Sequence, residues 1–76
     1  MNEFFRWQGY AEDDDGLSRV EFYFNGHPYV YVNDDLADDI ASLDDFMDQF
    51  EGVVYTSKAD YKSDNSIDVA KVWPTE

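Results

Sequence analysis

Three consecutive aspartates before a glycine, at positions 13–16, form the first segment whose residue types and spacing could do chemistry. Acidic loops with a glycine at the sixth position bind calcium in EF-hands. Aligning Gly16 with that glycine puts Ala11 at the first ligand position and Phe22 at the last, where a bidentate glutamate is needed. We therefore predict that Glu12–Gly16 is an acidic turn and not a metal site.

The other candidates for catalysis are also poorly placed. The paired carboxylates of 34–35 and 38–39 are adjacent in sequence, whereas paired acids act on a glycosidic bond from opposite sides of a cleft. His27 is the only histidine and the chain has no cysteine, so a zinc site lacks ligands. The four glycines are too scattered for a phosphate-binding loop. We expect no catalytic residue, no metal and no cofactor, and hence no enzyme.

The charge of the chain limits the kinds of partner that the protein can bind. Eighteen acidic residues stand against five basic ones, which gives a formal net charge of −13 and a pI near 4.1. Direct binding to nucleic acid or to an anionic membrane requires a basic surface, so both are excluded as expected partners. Disorder often accompanies such charge, but 43% of the residues are hydrophobic and 18% aromatic, enough for a core.

Size and composition favour one small domain, 1–76. The absence of cysteine excludes disulfides and fits a reducing compartment. The first residues lack the pattern of a signal peptide, and no apolar run approaches the roughly 20 residues of a membrane span. The expected location is the cytoplasm.

Three strands are predicted in the first half, at Phe4–Ala11, Ser18–Phe24 and Pro28–Val32. The turn around Asn25-Gly26 allows a two-residue loop, but a three-residue loop with a left-handed Gly26 is favoured. That register collects the apolar side chains on one face of the sheet. They are Val20, Phe22, Val30 and Val32, and the opposite face receives Glu21, Tyr23, Tyr29 and Tyr31.

One helix is predicted from Asp34 to Glu51, with Asn33 or Asp34 as N-cap and Gly52 as the stop. Its apolar positions recur at spacings of four and three, which is typical of an amphipathic helix. They are Leu36, Ile40, Leu43, Met47 and Phe50, with Ala37 and Phe46 beside them.

Two further strands are predicted at Val53–Ser57 and Ser66–Trp73, joined by the polar loop Lys58–Asn65 and ended by Pro74. The order βββαββ predicts an α+β fold, with a largely antiparallel sheet of about five strands and the helix on one face. Trp7 and Trp73 are expected to pack in the core or at a strand edge.

The predicted helix carries many acidic residues and no basic residue that could pair with them. Like charges four residues apart cost about 0.2–0.5 kcal/mol each, and acids near a helix C-terminus oppose the macrodipole. Asp34, Asp38 and Asp45 should form a ridge opposite the apolar positions. Eight of its eighteen residues are acids and none is basic: Asp34, Asp35, Asp38, Asp39, Asp44, Asp45, Asp48 and Glu51.

In size, composition and Asp-rich helix the chain resembles small acidic inhibitors encoded by phages and mobile elements. These include anti-CRISPR and anti-restriction DNA mimics and inhibitors of uracil-DNA glycosylase. The resemblance spans the chain but rests on charge pattern alone. It implies a partner that is a basic nucleic-acid-binding protein or complex, contacted by the helix acids, the turn acids and a tyrosine face. The turn acids are Glu12, Asp13, Asp14 and Asp15, and the tyrosines are Tyr23, Tyr29 and Tyr31.

Two alternatives remain open at this point. The acids could be a solvated surface adapted to high salt, in which case they should be spread evenly over the protein. The chain could also be a protein-interaction or homodimerisation module, because fourteen aromatic residues exceed what one helix on one sheet face can readily bury.

Overall fold

The computed structural model describes residues 4–74 and has an α+β fold built mostly from strands. A four-stranded antiparallel sheet runs β1-β2-β3-β4, and a second sheet pairs β5 with β6. Two short helices and one 3-10 turn lie in the second half. The elements in chain order are β1 (Phe4–Asp13), β2 (Gly16–Phe24), β3 (Pro28–Val32), β4 (Asp35–Leu36), α1 (Leu43–Gln49), β5 (Val53–Val54), α2 (Lys58–Lys62), β6 (Ile67–Asp68) and the 3-10 turn (Val69–Lys71).

The predicted β2–β3 hairpin is confirmed in register and in face. Phe24 pairs with Pro28 across a three-residue loop, and Gly26 is left-handed with φ +75°. Phe22 pairs with Val30, and both are fully buried. Alternation along the strands then sends the tyrosines to the opposite face, as predicted.

The first strand has a bulge that the sequence did not reveal. Phe5 pairs with Tyr23 but Trp7 pairs with Phe22, so Arg6 is the extra residue. The bulge places Phe5 on the tyrosine face, whereas Trp7 stacks on Phe22 on the core side at a centroid distance of 5.3 Å. One strand therefore supplies aromatic rings to both faces of the sheet.

Gly9 marks a close approach of two segments, β1 and the chain around Tyr55. A Cβ at this position would overlap both the indole ring of Trp7 and the carbonyl oxygen of Tyr55. Next to it, Tyr10 and Tyr55 exchange two backbone hydrogen bonds of 2.7 and 2.8 Å. The chain after α1 is thereby attached to the free side of β1, and only glycine fits the contact.

The predicted helix from Asp34 to Glu51 is wrong over its first half. Asn33 and Asp34 have φ values of 53° and 72°, so they form a two-residue turn that pairs Val32 with Asp35. Asn and Asp tolerate this left-handed conformation better than other residues with a side chain. The chain enters β4 instead of a helix, and Ala37 N–H donates to the Val30 carbonyl at 2.8 Å, which extends the pairing.

Only seven residues form α1, because its N-terminus is fixed at Ser42. The Ser42 hydroxyl accepts from Asp45 N–H at 3.2 Å, and the Asp45 carboxylate accepts from Ala41 N–H at 3.1 Å. The buried residue of this helix is Phe46, whereas Met47 is 47% exposed. The predicted apolar stripe was therefore wrong at Met47 and also at Leu36, which is 45% exposed.

The last third is more irregular than the two predicted strands. The segment 53–57 forms only β5, and 66–73 forms β6 followed by the 3-10 turn. The predicted polar loop contains α2, whose N-cap Ser57 accepts from Asp60 N–H at 3.1 Å. Serine and aspartate three residues apart are a helix-start signal, so the loop prediction overlooked available information.

The core lies between the β1–β3 sheet and the chain from residue 37 onward. Phe22, Phe46 and Trp73 form a ring cluster with centroid distances of 5.5 to 6.0 Å. Among residues 4–74 no polar or charged side chain is buried. The buried apolar residues are Ala11, Val20, Phe22, Val30, Ile40, Phe46, Phe50, Val54, Tyr55, Val69 and Trp73. Within the same range, neither helix has the length and apolar character that a membrane crossing requires.

Candidate functional site

An acidic groove of about 380 Å³ lies where the β1–β2 hairpin meets the end of α1. Five carboxylates line it, together with Gln49 and Phe50, and none of the lining residues is basic. The five, which we call the groove acids, are Glu12, Asp13, Asp14, Asp48 and Glu51. The structure thus brings together acids that are more than thirty positions apart in sequence.

The backbone explains why the two walls of the groove meet. Glu51 N–H, two residues beyond the last residue of α1, donates to the Glu12 carbonyl at 3.4 Å. Phe50 is 5% exposed and stacks on Phe46, which anchors this end of the helix in the core. The groove acids therefore sit on a backbone fixed by core packing on one side and by hairpin pairing on the other.

The groove acids differ in their exposure and in the hydrogen bonds that they accept within the protein. Asp14, Asp48 and Glu51 are exposed. Asp13 accepts from Asp15 N–H at 2.9 Å, which stabilises the turn. Glu12 accepts from the Tyr61 hydroxyl at 2.9 Å.

The predicted acidic ridge on one helix face does not exist, because the helix is too short to carry it. Asp34 lies in the β3–β4 turn, where it forms an ion pair with Arg19. Asp45 lies in the first turn of α1 and caps that end of the helix. The third member, Asp38, lies in the loop between β4 and α1 and is exposed.

The remaining predicted acids are also separated. Asp35 is in β4, and Asp39 accepts from the Gln49 amide at 2.6 Å. Asp44, like Asp45, lies in the first helical turn, where the macrodipole favours an acid instead of opposing it. The argument that the helix acids oppose stability was therefore wrong for these two residues, since the helix begins at Leu43, nine positions later than predicted.

A second candidate surface is the face of the sheet that α1 does not cover. Tyr23 contacts Phe5 and Tyr31 edge to face, at centroid distances of 5.1 and 5.3 Å. Tyr29 pairs with Tyr23 across β2 and β3 and also meets the His27 ring at 5.2 Å. The rings join three strands into one patch, which we call the aromatic face: Phe5, Tyr23, Tyr29, Tyr31 and Leu36.

The helix α2 lies on the same side of the sheet as the aromatic face, next to Tyr10 of β1. Its Tyr61 ring meets Tyr55 edge to face at 5.1 Å, and the Lys58 ammonium lies 5.9 Å from the centre of the Tyr10 ring. The hydrogen bond to Glu12 raises the pKa of Tyr61 above its ordinary value. Burial, with the nearby charge of Asp64, raises the pKa of Tyr55.

Sequence reasoning missed four residues of these two surfaces. Gln49 and Phe50 line the groove, and Phe5 and Leu36 belong to the aromatic face. Phe5 could not be assigned, because the bulge at Arg6 reverses the alternation at this end of β1. Leu36 was assigned to the helix, although the Asn33-Asp34 turn before it was an available signal for a hairpin.

The acidic side chains lie along the groove and do not form a compact set of metal ligands. No group of three His, Asp or Glu side chains in residues 4–74 is close enough together to hold a metal ion. Carboxylates spread along a groove suit the cationic side chains of a macromolecule.

Neither a protein-family model, nor a curated protein, nor a solved structure matches this chain.

Proposed function

We propose that the protein inhibits a nucleic-acid-binding protein by occupying its basic surface, with the groove acids in the place of phosphates. The observation that carries the proposal is the groove itself, in which five carboxylates from two distant segments converge without a lysine or arginine among the lining residues. The contact surface proposed here differs from the helix ridge expected from sequence.

Electrostatics support this choice of partner. A chain with a net charge of −13 attracts a basic surface over about a Debye length, roughly 8–10 Å at physiological salt. Arginine and lysine side chains that bind phosphate also bind carboxylates, and arginine does so in a bidentate way. Asp14, Asp48 and Glu51 are exposed and have short links to a fixed backbone, so they can be held at constant separations.

The test uses two triple variants that remove the same amount of charge. The groove variant is Asp14→Asn, Asp48→Asn, Glu51→Gln, and the control is Asp35→Asn, Asp38→Asn, Asp64→Asn. All six side chains are exposed. Each bait is used to capture proteins from cell lysate, and duplex DNA and RNA are added as competitors. We expect a captured nucleic-acid-binding protein that is retained by the wild type and by the control, released by the competitor, and lost with the groove variant.

The affinity of that protein for the wild type should fall steeply with added salt, because ion pairs at a partly exposed interface are screened. Equal loss of binding in both triple variants would reject the groove as the specific surface and leave a general acidic attraction. Failure of nucleic acid to compete would reject the mimicry.

A second function, a protein-interaction module, is favoured by a different observation. Two of the three large hydrophobic residues that are strongly exposed in residues 5–74, Phe5 and Leu36, lie on the aromatic face. The third, Met47, lies on α1. An aromatic patch of this kind is typical of a protein contact surface.

A further inference from the structure

We infer that Asn25 is a site of spontaneous covalent modification, at which the folded protein loses ammonia and the asparagine becomes isoaspartate or aspartate. The inference rests on the dipeptide Asn25-Gly26, on the backbone of the loop that contains it and on the open space beside that loop. It is independent of the proposed inhibitor function, because the loop lies at the end of β2 that is away from the groove.

The reaction begins when the backbone nitrogen of Gly26 attacks the side-chain carbonyl carbon of Asn25. A bond forms between these two atoms, the bond from the carbon to the side-chain nitrogen breaks, and ammonia leaves with the proton of the Gly26 amide. Water then opens the five-membered succinimide at either of its carbonyl carbons. One opening gives aspartate and the other gives isoaspartate, and no reactant besides water takes part.

The glycine after the asparagine favours this attack. Glycine has no Cβ to shield its nitrogen, and it reaches backbone angles that other residues avoid. Gly26 has a φ of +75°, and a Cβ placed on it would meet no atom within 4 Å. The loop therefore has room to rearrange as the ring closes.

The contacts around the loop also permit movement. The backbone hydrogen bond from Asn25 N–H to the His27 carbonyl is 3.3 Å long, which is above the usual range. Gly26 and His27 are exposed, and a cavity of about 100 Å³ beside the loop is lined by His27 and Pro28. A long hydrogen bond and free volume next to it lower the cost of bringing the Gly26 nitrogen to the Asn25 side chain.

Asn33 is a contrasting case in the turn between β3 and β4. Its side-chain carbonyl accepts from Arg19 N–H at 3.0 Å, and its own N–H donates to the Arg19 carbonyl at 2.8 Å. The next residue, Asp34, has a side chain that shields its backbone nitrogen and forms an ion pair with Arg19. Asn33 should therefore react slowly, although it also lies in a hairpin turn.

Asn65 is exposed but should still react more slowly than Asn25. Its N–H donates to the Asp60 carbonyl at 2.8 Å, and the next residue is Ser66, whose side chain crowds the attacking nitrogen. Among the asparagines in residues 4–74, the expected order of reaction is Asn25, Asn65 and Asn33.

The dipeptide Asp15-Gly16 can close the same ring, but more slowly. A charged carboxylate is attacked far less readily than a neutral amide, and ring closure from the acid releases water in place of ammonia. Isomerisation at Asp15 leaves the mass of the chain unchanged, so it is not confused with conversion of Asn25.

The product differs from the original chain in charge and in loop length. Conversion adds one negative charge to the formal −13 of the chain. Isoaspartate also inserts a methylene group into the main chain of a three-residue loop, whose length fixes the register of β2 and β3. The added charge allows the modified chain to be separated by anion exchange.

The experiment keeps the full-length chain folded in neutral buffer at physiological temperature. Samples taken over time are digested, and mass spectrometry locates each converted asparagine and distinguishes isoaspartate from aspartate. A synthetic peptide of residues 23–28 in the same buffer gives the rate without the fold. Asn25 should convert at least about tenfold faster than Asn33 and Asn65, which is about 1.4 kcal/mol in activation free energy, with isoaspartate as the main product.

Two variants test the chemistry, and a third is the matched control. Gly26→Asn keeps a residue that tolerates the left-handed conformation but shields the nitrogen, so it should slow conversion at Asn25 at least about tenfold. Asn25→Gln should remove the reaction at this position on the same timescale, because glutamine must close a less favourable six-membered ring. Asn65→Gln should leave the rate at Asn25 unchanged.

Four results would overturn the inference. They are an Asn25 that stays intact in the folded chain while the peptide is fully converted, conversion to aspartate without isoaspartate, faster conversion at Asn33 or Asn65, and a rate unaffected by Gly26→Asn. If circular dichroism shows that Gly26→Asn does not fold, the first three results decide. The reaction occurs in the purified chain, so its outcome does not depend on whether the groove binds a basic partner.

Discussion

The two faces of the β1–β4 sheet carry similar side chains in opposite surroundings. On one face Trp7 stacks on Phe22, and Phe22 meets Phe46 from α1 at a centroid distance of 5.6 Å. On the other face Phe5, Tyr23 and Tyr31 form a comparable set of ring contacts, but no helix covers them and Phe5 is 51% exposed.

The difference shows that aromatic content alone does not decide what becomes core. The described chain after residue 36 covers one face of the sheet and only the end of the other, where α2 lies beside Tyr10. Tyrosine suits the uncovered face, because its hydroxyl can be solvated while its ring contacts neighbours. Phenylalanine and valine fill the covered one. The exposed rings are therefore available for binding without weakening the core.

The largest expected effect comes from deleting a ring on each face. Phe46→Ala should destabilise the protein by about 3–5 kcal/mol, because it leaves a cavity beside Phe22 and Trp73. Tyr23→Ala should cost only about 0.5–1.5 kcal/mol, since its ring contacts are partly solvated. Urea unfolding at low micromolar concentration measures both values. Equal losses would remove the distinction between the two faces.

The next effect tests how closely the covered face is packed. Gly9→Ala should destabilise the protein by about 1–3 kcal/mol, because the new methyl group overlaps the Trp7 ring and the Tyr55 carbonyl. Gly52→Ala is the matched control, since its Cβ would lie 3.2 Å from the flexible end of Met47. Thermal unfolding should therefore show a large loss for Gly9→Ala and little change for Gly52→Ala. The opposite order would contradict the close approach at β1.

The smallest effect concerns the end of the open side that α2 covers. The pKa of Tyr61 is raised in the folded chain, so folding retains a proton that the unfolded chain loses near pH 10. The stability that this raised pKa contributes to the folded state is fully present below about pH 10. It is lost as the pH rises from there through the pKa of Tyr61 in the folded chain. Glu12→Gln should lower the pKa of Tyr61 in a tyrosinate absorbance titration and weaken this alkaline loss of stability.

The control for that titration is Glu21→Gln, which removes the same charge from the open side without a bond to Tyr61. It should leave the pKa of Tyr61 unchanged. An unaltered titration after Glu12→Gln would contradict the hydrogen bond between Glu12 and Tyr61.

The sequence predicted the β2–β3 hairpin well because the information there is local. Alternation along β2 and β3 and a left-handed Gly26 define the register without reference to the rest of the chain. The helix from Asp34 to Glu51 failed for the complementary reason. Its apolar spacing was compatible with a helix, but the Asn33-Asp34 turn and the Ser42 cap divided the segment. A periodic pattern describes which residues could share a face and does not decide where the chain turns.

The sequence by itself determined the α+β class, the acidic character, the β2–β3 register and the outward tyrosines, since each follows from composition or from neighbours in the chain. Only the tertiary structure decided which acids lie close together. Glu12 and Asp48 meet because Phe46 and Phe50 draw the end of α1 into the core beside the β1–β2 hairpin. Burial of apolar surface is non-directional and acts between distant segments, so no local pattern could place that groove.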